Sequence, residues 1–356
     1  MPELSESLAR WSELFIYLAS IAYMVAFIAF AWDLVSHGRT TQRLEEAQQE
    51  SEQKTAAKVV ASVSGASDNG SGSRGRSYQR AAAQKLEGHL ADDRMRYGQG
   101  GKRAAARAAV VVLALGALIH GAGVVTRGLA ANRVPWGNMY EFCTTGAFLV
   151  VAVYLFMLLF RDLRFIGTLV SGLALVMMTA ATMGFYVPVG QLKPALQSYW
   201  LVIHVSIAVL ASALFTITFA LAILQLLQTR REQQILAGES GKLTRLGFMR
   251  LVPSSTALEN LSFRLNALGF VMWTFTLAAG AIWAEKAWGR YWGWDTKEVW
   301  TFIIWVVYAA YLHARATRGW SGPPSAWLSI AGYLCIIFNF TVVNVFFSGL
   351  HSYSGL

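Results

Sequence analysis

Trp283-Ala-Glu-Lys-Ala-Trp288-Gly-Arg-Tyr291-Trp292-Gly-Trp294-Asp295-Thr296-Lys297-Glu298-Val-Trp300 holds five of the chain's thirteen tryptophans within eighteen residues. It is flanked by two apolar runs, about Leu265–Trp283 and Val299–Ala314. Each is close to the roughly 20 residues that cross the hydrocarbon core of a bilayer. The stretch between them is therefore a short loop at a membrane surface. Two readings of that loop compete. Trp and Tyr gather at membrane interfaces as anchoring belts. Five indoles and a tyrosine, broken by glycines that let the backbone approach a flat partner, also suit a platform for a planar ligand. The density of indoles favours the platform.

Working outward, the same hydropathy test finds six more spans: about Trp11–Leu34, Ala105–Val125, Tyr140–Phe160, Phe165–Val187, Tyr199–Leu227 and Ala326–Ser348. With 356 residues, 55% hydrophobic and only 14% charged, the chain reads as an all-α polytopic membrane bundle of about eight helices. The net charge of +10 does not imply nucleic acid. Its positives fall in segments 36–104 and 228–258, in the Arg161–Arg164 turn and at Arg315 and Arg318, all on one side of an eight-span threading. The bias of Lys and Arg toward the cytoplasm makes that side the inside, so the tryptophan loop and both termini face outward. The first span lacks a basic leader region and a small-residue cleavage site and is expected to be retained. Cys143 and Cys335 each lie inside an apolar run without metal or redox spacing.

Residues 1–35 are expected to form a peripheral amino-terminal transmembrane helix. Residues 36–104 open with a short helix near Gln42 and pass into a Ser/Gly/Ala-rich run, the composition of a flexible cytoplasmic insert. Residues 105–356 form the body. Thr256-Ala-Leu-Glu259 reads as a capping box for the helix leading into the sixth span, and Asp295-Thr-Lys-Glu298 as another for the seventh. In Val134-Pro-Trp-Gly-Asn-Met-Tyr140-Glu141, a turn enters span three with an acid in the first helical turn.

The histidines sort by depth. His204, four residues after Trp200 on the same helical face, lies about one turn inside the outer end of span five. His351 follows span eight and returns to the same level. His313 lies 18 residues beyond Asp295, about 27 Å along a helix. His120 sits inside span two, where a structural hydrogen bond to a neighbouring helix and a ligand contact are both open. An imidazole pair beside indoles suits haem iron: His204 and His351 as axial ligands, Trp288, Trp292 and Trp294 as the surface, and Arg127, Arg290 or Lys297 against the propionates. Zinc lacks a third clustered ligand here. A tryptophan-lined solute transporter would call for ion-coupling acids within the spans, whereas these acids sit at span ends; a haem exporter without synthase activity is the other alternative.

Several motifs in fixed order carry a resemblance: Asn138-Met-Tyr-Glu, Pro194-Ala-Leu-Gln-Ser-Tyr-Trp-Leu-Val-Ile-His204, Leu261-Ser-Phe-Arg-Leu-Asn, the loop itself, Tyr311-Leu-His313 and Gly349-Leu-His351-Ser-Tyr353. Over roughly residues 105–356 the chain resembles the CcsA/ResC (bacterial CcsB) family of system II cytochrome c biogenesis. The resemblance implies a subunit of a cytochrome c synthase (haem lyase) complex that takes haem b as substrate and ligand and works with a ResB/Ccs1-type membrane subunit. Such a subunit would present haem at the outer face to the C-x-x-C-H motif of apocytochrome c. It implies that His204 and His351 flank the tryptophan-rich (WWD-type) segment as the external ligand pair, with Asp295 in that motif, and that His313 is an intramembrane haem ligand. The Ala- and Gly-rich loops point to a bacterial cytoplasmic membrane rather than a thylakoid. Two positions depart from the family pattern: Thr296 stands where proline is usual, and Glu285-Lys286 replaces Asn-Glu. Threonine is tolerated at a first helical position, which accepts proline without requiring it.

Overall fold

The computed structural model describes residues 2–63, 95–97, 103–190, 197–238, 242–317, 320–347 and 349–351. Among them the regular elements are helical: α1 (Pro2–Val63), α2 (Ala104–Ala131), α3 (Met139–Leu158), α4 (Gly167–Thr179), α5 (Tyr199–Leu236), the single turn α6 (Lys242–Arg245), α7 (Ser255–Trp288), α8 (Thr296–Ala316), α9 (Pro323–Phe340) and α10 (Val342–Phe346). Eight segments are long and apolar enough to cross a membrane, matching the eight read from hydropathy. This is a multi-pass membrane protein. Helices can overrun the apolar windows because backbone hydrogen bonding continues into polar turns. Thus α7 begins ten residues before the Leu265 that opens its apolar run.

Two groups of helices share α5. On one side α1, α2, α3 and α4 enclose a core that includes Ile16, Tyr23, Phe30, Leu113, Tyr154 and Ile217. On the other, α7, α8 and α9 enclose Phe215, Trp273, Ile304, Tyr308, Tyr333 and Ile336. Phe215 of α5 stacks on Tyr308 of α8 at 3.8 Å between ring centroids, 15° from parallel. Being apolar all round is what lets α5 serve both groups.

The first span lies along α2 and is pinned to it by polar contacts. Ser12 Oγ donates to Gly123 O at 2.7 Å, Tyr23 meets His120, and Asp33 takes the Arg103 guanidinium in a buried ion pair while accepting from Ala106 N. α1 then continues unbroken to Val63, so the short helix expected near Gln42 is an extension of the first span. Most of the Ser/Gly/Ala-rich run expected to be flexible, residues 64–94, lies outside the described residues. Its far end is docked: Met95 is buried and its carbonyl accepts from Asp162 N at 2.7 Å.

The expected capping box at Thr256 and Glu259 is not formed. Ser254 caps α7, its Oγ accepting from Ala257 N. Glu259 instead crosses to the start of α9, where it accepts from Gly322 N and Ser325 Oγ and pairs with Arg315 at 2.8 Å. A carboxylate one turn into a helix serves better against an unsatisfied N-terminus and a guanidinium than against an end that a serine already closes.

Candidate functional site

At the opposite end of the bundle the tryptophan loop joins α7 to α8. α7 stops where Gly289 takes a left-handed conformation (φ 72°). α8 starts with the capping box read from the sequence, in which Glu298 Oε2 accepts from the N–H groups of Asp295 and Gly293. Between these two ends Trp294 is held at φ 59°, a region that costs a non-glycine residue about 1–2 kcal/mol. Its side chain is 72% exposed and meets Trp292 edge-on at 5.7 Å.

α5 begins beside this loop, capped by Ser198. One turn in, His204 Nδ1 donates to the carbonyl of Thr276 on α7 at 2.9 Å. Thr276, Gly280 and Trp283 follow one another at helical spacing on the α7 face that meets α5. Gly280 is the cradle of the imidazole, since a Cβ there would lie 2.7 Å from His204 Cε1. Trp283 lies nearly parallel to the ring, 12° from coplanar with centroids 6.0 Å apart.

His351 reaches the same indole from the chain's far end. Past α9 the helix breaks at Thr341, α10 makes one more turn, and Gly349 lies against Asp295. The Asp295 carboxylate accepts from both the backbone N–H and Nδ1 of His351, at 3.2 and 2.6 Å. The imidazole packs edge-on to Trp283 at 5.6 Å and to Trp288 at 4.8 Å. Burial holds its pKa below the ordinary value; the hydrogen bond and charge of Asp295 pull it partly back.

Both imidazoles therefore give Nδ1–H to an oxygen that can only accept, which fixes the tautomer and leaves each Nε2 with a free lone pair. Both flank the same buried indole, whose own N–H has no protein partner. Two imidazoles with Nε2 lone pairs, an aromatic wall, a glycine cradle and an unsatisfied indole N–H are a donor set that suits a flat macrocycle with a central metal. Trp283 was not among the residues singled out as ligand surface. Its signal was the Thr276-Gly280-Trp283 spacing on the helix opposite His204.

The remaining expected residues are distributed around this centre. Trp288 belongs to it directly. Trp292 and Trp294 form a separate pair on the loop, and Arg290 folds its guanidinium across Gly293. Arg127 is 2% exposed, bonded to Glu141 and to the carbonyl of Val187, and lies over the Tyr140 ring at 4.9 Å. Glu141 also takes Arg133 and the N–H of Gly137. Lys297 donates to Asn339 O and Asn344 Oδ1. His313 stands exposed near the far end of unbroken α8. His120 is fully buried, with Nδ1 3.0 Å from the Tyr23 hydroxyl.

A family model described as cytochrome C assembly protein matches residues 136–351, the stretch that contains both imidazoles and the loop. The chain belongs to the cytochrome c assembly protein family. It is similar to the cytochrome c biogenesis protein CcsA of Guillardia theta, with 37% identity over 246 residues, covering 65% of this chain and 80% of that protein. The protein of the same name from Microcystis aeruginosa is 36% identical over 266 residues, covering 64% and 81%. That of a Synechocystis species is 33% identical over 273 residues, covering 64% and 82%. Within this family match, α1 and the segment up to residue 135 lie outside the region covered.

Proposed function

We propose that this member of the cytochrome c assembly family binds haem b between His204 and His351 and presents it for covalent attachment to apocytochrome c. Membership in the family carries the role in cytochrome c biogenesis. The observation that carries the rest is the pair of imidazoles that flank Trp283, each with Nδ1 bonded to an acceptor.

Bound haem supplies the vinyl groups to which the cysteine thiols of a C-x-x-C-H segment add. The chain's own contribution is positioning. His204, on a continuous helix and seated on Gly280, would hold the iron from the more rigid side. His351, on the tail after α10, is oriented by Asp295. Trp283 and Trp288 wall the site and exclude water from it, while Trp292 and Trp294 extend the aromatic surface to the rim. Arg290 is the loop guanidinium that propionates would meet, while Arg127 is already engaged by Glu141 and the Val187 carbonyl. The thiol nucleophile comes from the apocytochrome, so no side-chain nucleophile is required here.

The reading extends to a ResB/Ccs1-type membrane subunit as partner. It places the chain in a bacterial cytoplasmic membrane with the tryptophan loop outside, on the Lys and Arg bias of the loops. His313, exposed at the inner end of α8, is available to a second haem shared with that partner.

The test is the absorption spectrum of the full chain co-purified with its partner. A bis-imidazole Soret band that is lost in both His204→Gly and His351→Gly supports the reading. A colourless preparation from cells that still mature c-type cytochromes through this chain overturns it.

A further inference from the structure

We propose that Asn344 is a positioning residue for the His351 ligand: through its bond to Lys297 it fixes the near end of an exposed tail whose far end is held by Asp295. The inference rests on the haem reading above and deepens it.

The tail that carries His351 has little packing of its own. Val343 is buried, but beyond it Val345, Phe346, Phe347 and Leu350 are exposed, Phe346 to 77%. A segment that buries so little keeps its conformational freedom unless its ends are tied. The far end is tied by the two Asp295 bonds to the main chain and ring of His351. The near end is tied at Asn344. There Oδ1 accepts from Lys297 Nζ at 2.9 Å, and Nδ2 donates at 3.1 Å to the thioether of Met139, the buried first residue of α3.

Both ties run to the start of α8, where Asp295 is the N-cap and Lys297 the second helical residue. Lys297 Nζ also donates to Asn339 O at 2.8 Å, a carbonyl in the last turn of α9, where a helix end leaves its acceptors without intrahelical donors. One amine thus spans the break at Thr341, holding the helix before it and the turn after it. Two N–H groups suffice for both bonds, so the tie does not depend on the charge of the amine. On the helix side the break is secured by other contacts as well: Phe340 stacks on Phe142 with ring centroids 4.3 Å apart, and Asn339 Nδ2 donates to Thr301 Oγ1 at 3.3 Å. On the tail side the anchor is the Asn344 amide. With residues 344 and 351 fastened to one helix start, the imidazole is held against Trp283 and Trp288 although the chain between is exposed.

The experiment titrates carbon monoxide into the reduced, haem-loaded full chain co-purified with its partner, read from the shift of the Soret band. Carbon monoxide must displace an axial imidazole, so its apparent affinity reports how firmly the looser ligand holds iron. Asn344→Ala should raise that affinity about tenfold, the lower end of the range for groups that orient metal-bound histidines. Asn344→Asp keeps an acceptor for Lys297 and should stay near the parent. Lys297→Met removes the donor of the same bond and should raise the affinity at least as much as Asn344→Ala.

A parent-like affinity in either Asn344→Ala or Lys297→Met overturns the proposal, as does an equal rise in Asn344→Asp and Asn344→Ala. Should Asn344→Ala give no complex, Lys297→Met alone decides. A lower yield of complex whose remaining haem binds carbon monoxide as the parent does would make Asn344 a merely structural residue and likewise overturn it. Absence of haem from the parent complex would instead fail the underlying haem reading.

Discussion

His120 and the pair at the loop end are the same residue put to different uses by their partners. His120 offers Nδ1 to a tyrosine hydroxyl, which can donate or accept, and its ring is closed in edge-on by Tyr23 at 5.6 Å and Phe148 at 5.7 Å. His204 and His351 offer theirs to a carbonyl and a carboxylate, which only accept, and their open sides face indoles. The first arrangement clasps α1 to α2. The second prepares a lone pair. A histidine in a membrane span is thus read by the chemistry of what bonds its Nδ1, more than by its depth.

The largest expected difference breaks the two apart. His351→Gly or His204→Gly abolishes c-type cytochrome maturation, scored by haem staining in cells. His120→Leu leaves maturation intact and costs about 1–3 kcal/mol in thermal unfolding, the usual penalty for stranding the Tyr23 hydroxyl. Next comes the acceptor. Asp295→Asn retains a side chain of the same size but loses the acceptor-only carboxylate, and haem affinity of the purified complex should drop about 10–100-fold, as for other groups that orient metal-bound histidines.

A smaller contrast uses the glycines beside each ring. Gly280→Ala pushes a methyl against His204 and should lower haem affinity about tenfold, at 1.4 kcal/mol per decade. Gly121→Ala meets Phe148 beside His120 at 3.1 Å and should change stability alone, by about 1 kcal/mol. Equal effects of the two on haem content would erase the distinction.

Acid sharpens the comparison further. Burial keeps His351 below the ordinary histidine value of about 6.5. Folding therefore favours its neutral form, so its contribution is complete above about pH 6.5 and is lost as pH falls toward the folded value. The difference in melting temperature between the parent and His351→Gln should be constant above that pH and shrink below it. Smallest is the backbone term at the rim. Trp294→Gly should be about 1 kcal/mol more stable than Trp294→Ala, because only glycine removes the left-handed strain.

How much of this was legible follows from the range of the interactions. The eight spans come from local hydropathy, and the Asp295–Glu298 capping box from a three-residue spacing, so both are readable without coordinates. That His204 and His351 share a level followed from counting residues along helices. Their convergence on Trp283 did not, because it depends on how α5 and α7 pack and on a tail 147 residues from His204 (351 − 204). The partners of Lys297 lie 42 and 47 residues away and are equally invisible in a local reading. Glu259 shows the opposite error: a local pattern was present, but the start of α9, 63 residues on, made the better use of the carboxylate.

The two anchors of the site are built to different stiffness. One imidazole projects from the second turn of a 38-residue helix that serves both cores, while the other lies beyond a helix break and is fastened, main chain and ring alike, by one aspartate. If both hold haem as proposed, exchanging the first would require a span to shift, whereas exchanging the second would require release of the segment after α10 from Asp295. On the proposed reading, an incoming histidine would displace His351 at lower cost than His204.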